Sequence, residues 1–249
     1  MLLIYSLIII YVNKFLFTYN INMTITAIIP IKHNSSRVPG KNFRLMNEKP
    51  LFYYIINTLL HVKEIDDIVI DTNSPTIFEK VPEMFKNYMN KIKLYKRPEH
   101  LCPGDTPTND LLLNVIKDLN LKSDYYLQTH VTNPLLKTET ISDSINTFLQ
   151  NKDKYECLFS VKTHYTRFYD KDGNDMNHNR FKLIPTQDLD PIYEENSCIY
   201  IFTKEILETY KARIGKKALV FPMTDIESQD IDWEEDFVLT EILMKNINN

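Results

Sequence analysis

The segment Ile28–Asn42 reads IIPIKHNSSRVPGKN and joins an apolar run to a compact group of cationic side chains. The run at 25–31 is rich in isoleucine and predicts a buried β-strand. Lys32, Arg37 and Lys41 follow it closely. Positive charge at the carboxyl end of a buried strand is typical of an anion site. The segment therefore predicts both a central strand and the position of a ligand site.

The loop at 32–41, which we term the basic loop, ends in a predicted tight turn. Residues 38–41 place proline second and glycine third, which favours a type II turn that folds Lys41 back toward the strand. Lys32 and Arg37 would then converge with Lys41 on one anion, helped by backbone N–H groups near 34–36. The alternative is a solvated, charged loop. The motifs GxxxxGK[ST] and GxGxxG are absent, which argues against kinase-type and dinucleotide-binding loops.

Strand and helix patterns alternate along the rest of the chain. Strand patterns occur at 25–31, 67–71, 91–95, 124–129, 157–163, 197–202 and 218–222. Helical patterns occur at 50–62, 75–89, 108–120, 137–149, 204–211 and 233–247. Repeated β-then-α units predict an α/β fold with a mostly parallel sheet flanked by helices. Such a sheet binds its ligand at the carboxyl ends of its strands, where the basic loop would lie.

Composition limits the classes of function. The chain has 249 residues, a formal net charge of -4 and a pI near 5.9, so no global positive field favours nucleic acid, and we expect no nucleic-acid partner. The three cysteines, Cys102, Cys157 and Cys198, are widely spaced and lack a CxxC pair. They predict reduced thiols in a reducing compartment, and we expect a cytoplasmic protein.

Two segments depart from the alternating pattern. Residues 1–22 are apolar but short for a membrane span. They predict an N-terminal extension absent from the mature protein, with a signal anchor or an amphipathic segment as alternatives, so membrane contact is expected only if they act as an anchor. Residues 23–249 would form one domain. Within it, 164–195 is too polar and too long for an ordinary connection and predicts a protruding arm, either a lid or a subunit contact.

A carboxylate pair lies near the C-terminus. Asp230 and Asp232 alternate in a stretch that reads SQDIDWEEDF, so in an extended chain both side chains point to one side. Two such carboxylates suit Mg²⁺, which takes substrate phosphates as further ligands. The alternative for Asp232 is a helix N-cap with Glu235 as its capping-box partner. A cationic pocket together with a carboxylate-held Mg²⁺ is the equipment needed to bind a nucleoside triphosphate.

These motifs resemble those of the acylneuraminate cytidylyltransferase family. The run IIPIKHNSSRVPGKNFRLMNEKPL is similar to its N-terminal signature. The matching residues there are Lys32, Asn34, Ser35, Pro39, Lys41, Asn42, Lys49, Pro50 and Leu51. Further matches, in the family's order, are Arg97, Pro98 and Leu101; Leu127, Gln128, Pro134 and Leu135; Asn196, Ile199 and Tyr200; and Asp230 and Asp232. At Ser36-Arg37 the loop departs from the sialic acid members and is closer to 3-deoxy-manno-octulosonate cytidylyltransferases.

The resemblance implies a homodimeric enzyme with a nucleotide-diphospho-sugar transferase-like fold, which is Rossmann-like and similar to GT-A folds. It would couple CTP to an eight- or nine-carbon acidic 2-keto sugar in a Mg²⁺-dependent reaction that releases pyrophosphate. Nucleotide binding is implied for Lys32, Asn34, Ser35, Arg37, Lys41 and Arg97. Catalytic roles are implied for Arg37, Lys41 and Asp230, sugar or nucleotide contact for Gln128 and Asn196, and metal binding for Asp230 and Asp232.

Some alternatives stay open at this point. A GT-A glycosyltransferase also uses a DxD pair with Mg²⁺, although its pair normally lies in the middle of the domain. A catalytically inactive nucleotide-binding homologue is a second alternative. The sugar carboxylate should require a cation, and the sequence does not choose among Lys162, Arg167, Arg180 and Lys182.

Overall fold

The computed structural model describes residues 23–247, so the predicted extension at 1–22 lies outside the described residues. In chain order the strands are β1 (Ile25–Ile31), β2 (Leu45–Met46), β3 (Lys49–Pro50), β4 (Asp67–Thr72), β5 (Ile92–Lys96), β6 (Tyr125–Gln128), β7 (Cys157–His164), β8 (Ile192–Phe202) and β9 (Ala218–Met223). The α-helices are α1 (Leu51–His61), α2 (Pro75–Met84), α3 (Thr108–Asp118), α4 (Thr138–Asn151), α5 (Lys204–Tyr210) and α6 (Glu234–Ile247).

Seven of these strands form one sheet in the order β5-β4-β1-β6-β8-β7-β9. β1 pairs in parallel with β4 and β6, and the pairs β4–β5 and β7–β9 are also parallel. β8 alone runs antiparallel to its two neighbours. The predicted mostly parallel α/β sheet is therefore confirmed.

The core lies on both faces of the sheet, which explains the mostly apolar sequence of β1. Ile25, Ala27, Ile29 and Ile31 belong to one buried cluster, and Ile28 belongs to the cluster on the other face. A strand covered on both faces needs apolar residues at successive positions. This burial fixes β1 at the centre of the sheet and places the basic loop at its carboxyl end.

Most predicted elements agree with the structure to within two residues. The prediction for α2 was too long, because a 3₁₀ turn at Lys86–Tyr88 follows its end at Met84. The strand predicted at 197–202 begins five residues earlier, at Ile192. Its charged start pairs with β7, with Glu194 opposite Lys162, so long-range pairing overrides the polar local sequence. The short β2–β3 hairpin was not predicted.

The predicted arm at 164–195 emerges from the ends of β7 and β8. His164 and Ile192 are the last paired residues of this ladder. Between them the chain forms one short bridge and a 3₁₀ turn at Thr186–Asp188. Large apolar side chains are exposed here, including Phe181 at 92% and Leu183 at 74%. No helix in the described range is both long and apolar enough to cross a membrane.

Candidate active site

A cavity of about 630 Å³ opens where β1 and β6 end. The basic loop forms one wall, and the Asp230–Asp232 segment and the loop after β6 contribute others. The predicted residues that line it are Lys32, Asn34, Ser35, Arg37, Lys41, Asp230 and Asp232. Residues almost two hundred positions apart therefore share one cavity, as the sequence predicted.

The predicted type II turn is confirmed at the end of the basic loop. Gly40 has a φ of +65° and a ψ of 14°, and the Lys41 N–H donates to the Val38 carbonyl at 3.1 Å. Glycine adopts this left-handed conformation without steric cost. The Asn42 side chain donates to the Lys32 carbonyl at 2.8 Å and ties the two ends of the loop together.

Ionic contacts connect the basic loop directly to the aspartate pair. The Arg37 guanidinium donates two hydrogen bonds to the Asp232 carboxylate, at 2.9 and 2.6 Å. Lys41 Nζ donates to the Ile231 carbonyl and lies 3.9 Å from an Asp232 oxygen. Lys32 reaches the other rim, where its Nζ donates to the Gly104 carbonyl at 2.7 Å. The loop cations are therefore already directed into the cavity.

Burial shifts the pKa values of Lys41 in the basic loop and Asp230 in the aspartate pair. Lys41 is only 8% exposed, and desolvation lowers the pKa of its ammonium group, with Asp230 and Asp232 opposing the shift. Desolvation also raises the pKa of the Asp230 carboxyl. The Asp230 Oδ1 atom is buried and accepts no hydrogen bond from the described residues. Since an unpaired buried carboxylate oxygen is costly, this atom is suited to accept a cation.

The aspartate pair fits a Mg²⁺ ion by the chemistry of its donors. Both carboxylates line the cavity, and the unpaired oxygen of Asp230 gives one anionic ligand without breaking a contact. Residues 23–247 contain no cluster of three or more His, Cys, Asp or Glu side chains placed to hold a metal. That is compatible with Mg²⁺, which commonly uses one or two carboxylates and completes its shell with water and substrate phosphate.

The alternative assignment of Asp232 as a helix N-cap is wrong. Its carboxylate accepts from Arg37, and α6 begins after it, at Glu234. The carboxylate of Asp236 takes the capping role and accepts from the backbone N–H groups of Asp232 and Trp233, at 3.0 and 2.8 Å. The Asp232 side chain is thus left for the cavity.

Two predicted substrate residues lie behind the cavity wall. The Gln128 amide accepts from Arg213 and donates to the Thr129 carbonyl at 2.9 Å. The Asn196 amide accepts from Ser160 at 2.6 Å and donates to Ser228 at 2.8 Å. Neither residue lines the cavity, whereas their neighbours His130 and Ser197 do. Both predicted amides are therefore held by the protein itself.

Arg97 also lies outside the cavity lining. Its Nε and Nη2 atoms donate to the Asp71 carboxylate at 3.0 and 2.8 Å, and both side chains are 1% exposed. The Arg97 N–H donates to the Thr72 carbonyl at 2.9 Å, which fastens the end of β5 to the end of β4. Nucleotide contact by Arg97 stays a prediction, and the contacts that the structure shows are structural.

A family model described as "Cytidylyltransferase" matches residues 26–246. This chain belongs to the cytidylyltransferase family. The match covers both cavity walls, so the basic loop and the aspartate pair both lie within the family match. The resemblance seen in the sequence is confirmed, and the glycosyltransferase alternative loses its support.

Curated relatives of this cytidylyltransferase act on related acids according to their names. The CMP-N,N'-diacetyllegionaminic acid synthase of Legionella pneumophila is 30% identical, over 90% of this chain and 97% of its own length. The pseudaminic acid cytidylyltransferase of Campylobacter jejuni is 25% identical, over 88% of this chain and 95% of its own length. An N-acylneuraminate cytidylyltransferase of Streptococcus agalactiae is 24% identical, over 85% of this chain and 51% of its own length.

Solved structures confirm the fold of the cytidylyltransferase. A CMP:2-keto-3-deoxy-manno-octonic acid synthetase, complexed with CTP, superposes with a TM-score of 0.63 at 13% identity, over 90% of this chain and 99% of that chain. The 4-diphosphocytidyl-2C-methyl-D-erythritol synthase of Anaerococcus prevotii gives 0.64 at 16% identity, over 90% of this chain and 96% of that chain. At such identities the likeness concerns the fold alone.

The sequence did not indicate a further cationic residue of the cytidylyltransferase, Arg213, which lies behind the cavity lining and contacts Gln128. Lys162, Arg167, Arg180 and Lys182 do not line the cavity; the first three contact Asp225, the Ile184 carbonyl and Asp175, respectively. Arg213 instead packs its guanidinium 3.9 Å from the centre of the Tyr200 ring and donates to Gln128. Its sequence neighbourhood, KARIGKK, looks like an ordinary basic loop, so only the fold reveals its position.

Removing one partner of the buried Arg97–Asp71 pair should destabilise the protein. Arg97→Met would leave the buried Asp71 carboxylate unpaired, so we expect the free energy of unfolding to fall by about 3–5 kcal/mol. Urea denaturation followed by circular dichroism measures this loss. The double variant Asp71→Leu/Arg97→Met, which removes both charges, should recover most of it. If Arg97→Met unfolds at the wild-type urea concentration, the pair has no structural role.

Proposed function

We propose that this enzyme couples CTP to an acidic eight- or nine-carbon 2-keto sugar of the sialic acid type, giving a CMP-sugar and pyrophosphate. The observation that carries the proposal is the direct contact of the basic loop with the aspartate pair, through Arg37 and Asp232, in one cavity. The relatives support the substrate class, since two of them are named for legionaminic acid and pseudaminic acid. The match to the first of these covers 97% of that relative's length.

The proposed reaction needs positioning and charge more than covalent chemistry. The anomeric hydroxyl oxygen of the sugar forms a bond to the α-phosphorus of CTP. The bond from that phosphorus to the bridging oxygen of the β-phosphate breaks, pyrophosphate leaves with the bonding electrons, and the hydroxyl proton passes to water. Transfer at phosphorus is accelerated mainly by orientation and by stabilisation of the charge on the phosphate oxygens.

The basic loop is assigned to the triphosphate. Lys41, buried and fixed by the Ile231 carbonyl, would stabilise negative charge at a phosphate oxygen of the transition state, and Arg37 the leaving pyrophosphate. Lys32 would hold the outer phosphates from the opposite rim. Asn34 and Ser35, which line the same wall, would add hydrogen bonds from backbone and side chains.

The aspartate pair is assigned to a Mg²⁺ ion. Asp230 would provide its unpaired oxygen, and Asp232 would join it after releasing Arg37. When bound, the ion would offset the charge of the phosphates and polarise the phosphorus under attack. Arg37 would then exchange a carboxylate for a phosphate, so loss of its present partner is compensated by the substrate.

The arm is assigned to subunit contact in a homodimer formed by the domain at 23–249. The exposed Phe181 and Leu183 support this, because large apolar side chains on a protruding segment are typical of contact surfaces. A dimer contact would cover them. Sedimentation of the wild-type protein and of Phe181→Ser would test the assignment.

Pyrophosphate release tests the proposed function. The purified enzyme is assayed with each of the four nucleoside triphosphates, Mg²⁺ and a panel of acids: N-acetylneuraminate, legionaminate, pseudaminate and 3-deoxy-manno-octulosonate. We expect release with CTP and at least one acid, and little release with the other nucleotides. Absence of release with every acid would refute the substrate class, and this result would also favour the inactive homologue.

A further inference from the structure

Three side chains form a hydrogen-bonded series behind the cavity: Arg213, Gln128 and His130. Arg213 donates to the Gln128 side-chain oxygen. The Gln128 amide nitrogen donates to the Thr129 carbonyl at 2.9 Å and lies 3.0 Å from His130 Nε2. Only His130 lines the cavity. The series therefore leads from a partly buried cation to a ring at the cavity surface.

The donors fix the tautomer of His130. A guanidinium can only donate, so the Gln128 oxygen must face Arg213, and its NH₂ group must face Thr129 and His130. His130 Nε2 is then an acceptor, and in the neutral ring the proton lies on Nδ1. Nδ1 makes no hydrogen bond with residues 23–247. It is not fully buried either, because the buried atoms without a partner do not include it. It therefore presents an N–H group to the cavity.

The surroundings keep this ring neutral. Desolvation, together with the positive charges of Arg213 and Lys41, lowers the pKa of His130 to about 3. The ring is thus a neutral donor in a positive field. Such a field attracts an anionic oxygen to the Nδ1–H group, and the ring gains no charge of its own.

Arg213 supplies positive charge that the protein leaves largely uncompensated. Among the ion pairs of the described residues, none includes Arg213. Its guanidinium lies against the Tyr200 ring at 3.9 Å, and the Tyr200 hydroxyl donates to the exposed Glu195. A partly buried cation without a carboxylate partner is unfavourable, and an acid bound in the cavity would offset that cost.

We propose that His130 Nδ1–H is the donor that recognises the carboxylate of the acidic sugar, with Gln128 and Arg213 as the residues that position it. This inference rests on the proposed function. The triphosphate already has three cations in the basic loop, whereas the four cations that the sequence offered for the sugar carboxylate, one in β7 and three in the arm, lie outside the cavity lining. His130 is a donor in the cavity lining that the triphosphate assignment does not use, and the cationic Arg213 lies behind it.

Kinetics of matched variants test the proposal, with the acid that wild-type enzyme turns over. His130→Leu removes the donor, and we expect the KM for the acid to rise about 10- to 100-fold, the usual loss for one hydrogen bond to a charged group. His130→Asn keeps an N–H close to Nδ1 and should recover most of the affinity. Arg213→Met, which frees Gln128 to rotate, should raise the same KM. The dissociation constant for CTP, measured calorimetrically without sugar, should stay within about twofold in each variant.

Wild-type protein provides a second readout if a variant does not fold. In ¹⁵N-histidine NMR, His130, assigned with His130→Asn, should show a protonated Nδ1 that shifts when the acid is added with α,β-methylene CTP. An unchanged KM in His130→Leu, equal losses for CTP and acid, or an unshifted Nδ1 would overturn the proposal. The function itself fails only if wild-type enzyme releases no pyrophosphate, so the two failures are distinct.

Discussion

Lys41→Met should lower kcat/KM for CTP by about 100- to 1,000-fold, the range found when one preorganised donor to a transition-state oxygen is removed. Lys41 is buried, tied to the Ile231 carbonyl and close to Asp232, so its ammonium group needs no reorganisation to meet a phosphate. Methionine keeps much of the apolar stem and removes the charge. Steady-state pyrophosphate release against CTP concentration gives the value.

Two comparisons make the Lys41 result specific. Lys63→Met, at an exposed lysine remote in sequence from the loop, should keep wild-type kinetics. The melting temperatures of both variants should lie close to that of the wild type, which separates lost chemistry from lost folding. A Lys41→Met enzyme with normal kcat/KM would show that the basic loop does not bind the reacting phosphates.

Asp230→Asn should reduce turnover by about 100-fold or more, because an amide is a much poorer ligand for Mg²⁺ than a carboxylate. Desolvation raises the pKa of the Asp230 carboxyl, and its Oδ1 atom accepts no hydrogen bond from the described residues. The neutral amide avoids the desolvation of a charge, so we expect the free energy of unfolding to stay equal or rise. A gain in stability with a loss of activity would identify a residue retained for function.

The measurement for Asp230→Asn is turnover as a function of Mg²⁺ concentration, together with urea denaturation. We expect a higher Mg²⁺ requirement as well as a lower maximal rate. Asp153→Asn, at an exposed aspartate, is the matched control and should resemble the wild type in both experiments. Normal turnover at the wild-type Mg²⁺ concentration would remove Asp230 from the proposed metal site.

The elements with strong local signals could be predicted from the sequence. The apolar run of β1 and the Pro-Gly turn at 38–41 depend on nearby residues, and both form as expected. The alternation of Asp230 and Asp232 also predicted that both side chains reach one place. The prediction placed the basic loop and the aspartate pair in one site because a nucleoside triphosphate requires both cationic side chains and a bound metal ion.

The remaining features depend on contacts between distant segments. Gln128 matches a family motif, but its side-chain oxygen accepts from Arg213 and it does not line the cavity, whereas His130 does. Arg97 finds its partner Asp71 on the neighbouring strand. The early start of β8 likewise depends on its pairing with β7. None of these pairings has a local sequence signal, so the fold had to be known first.

The fate of the α-phosphate of CTP tests the central claim most directly. ³¹P NMR of the enzyme with CTP, Mg²⁺ and the active acid should show one phosphodiester signal from the CMP-sugar and one equivalent of pyrophosphate. The two signals should grow together and depend on the acid. Release of inorganic phosphate with CDP, or of CMP without a sugar phosphodiester, would contradict attack by the sugar at the α-phosphorus.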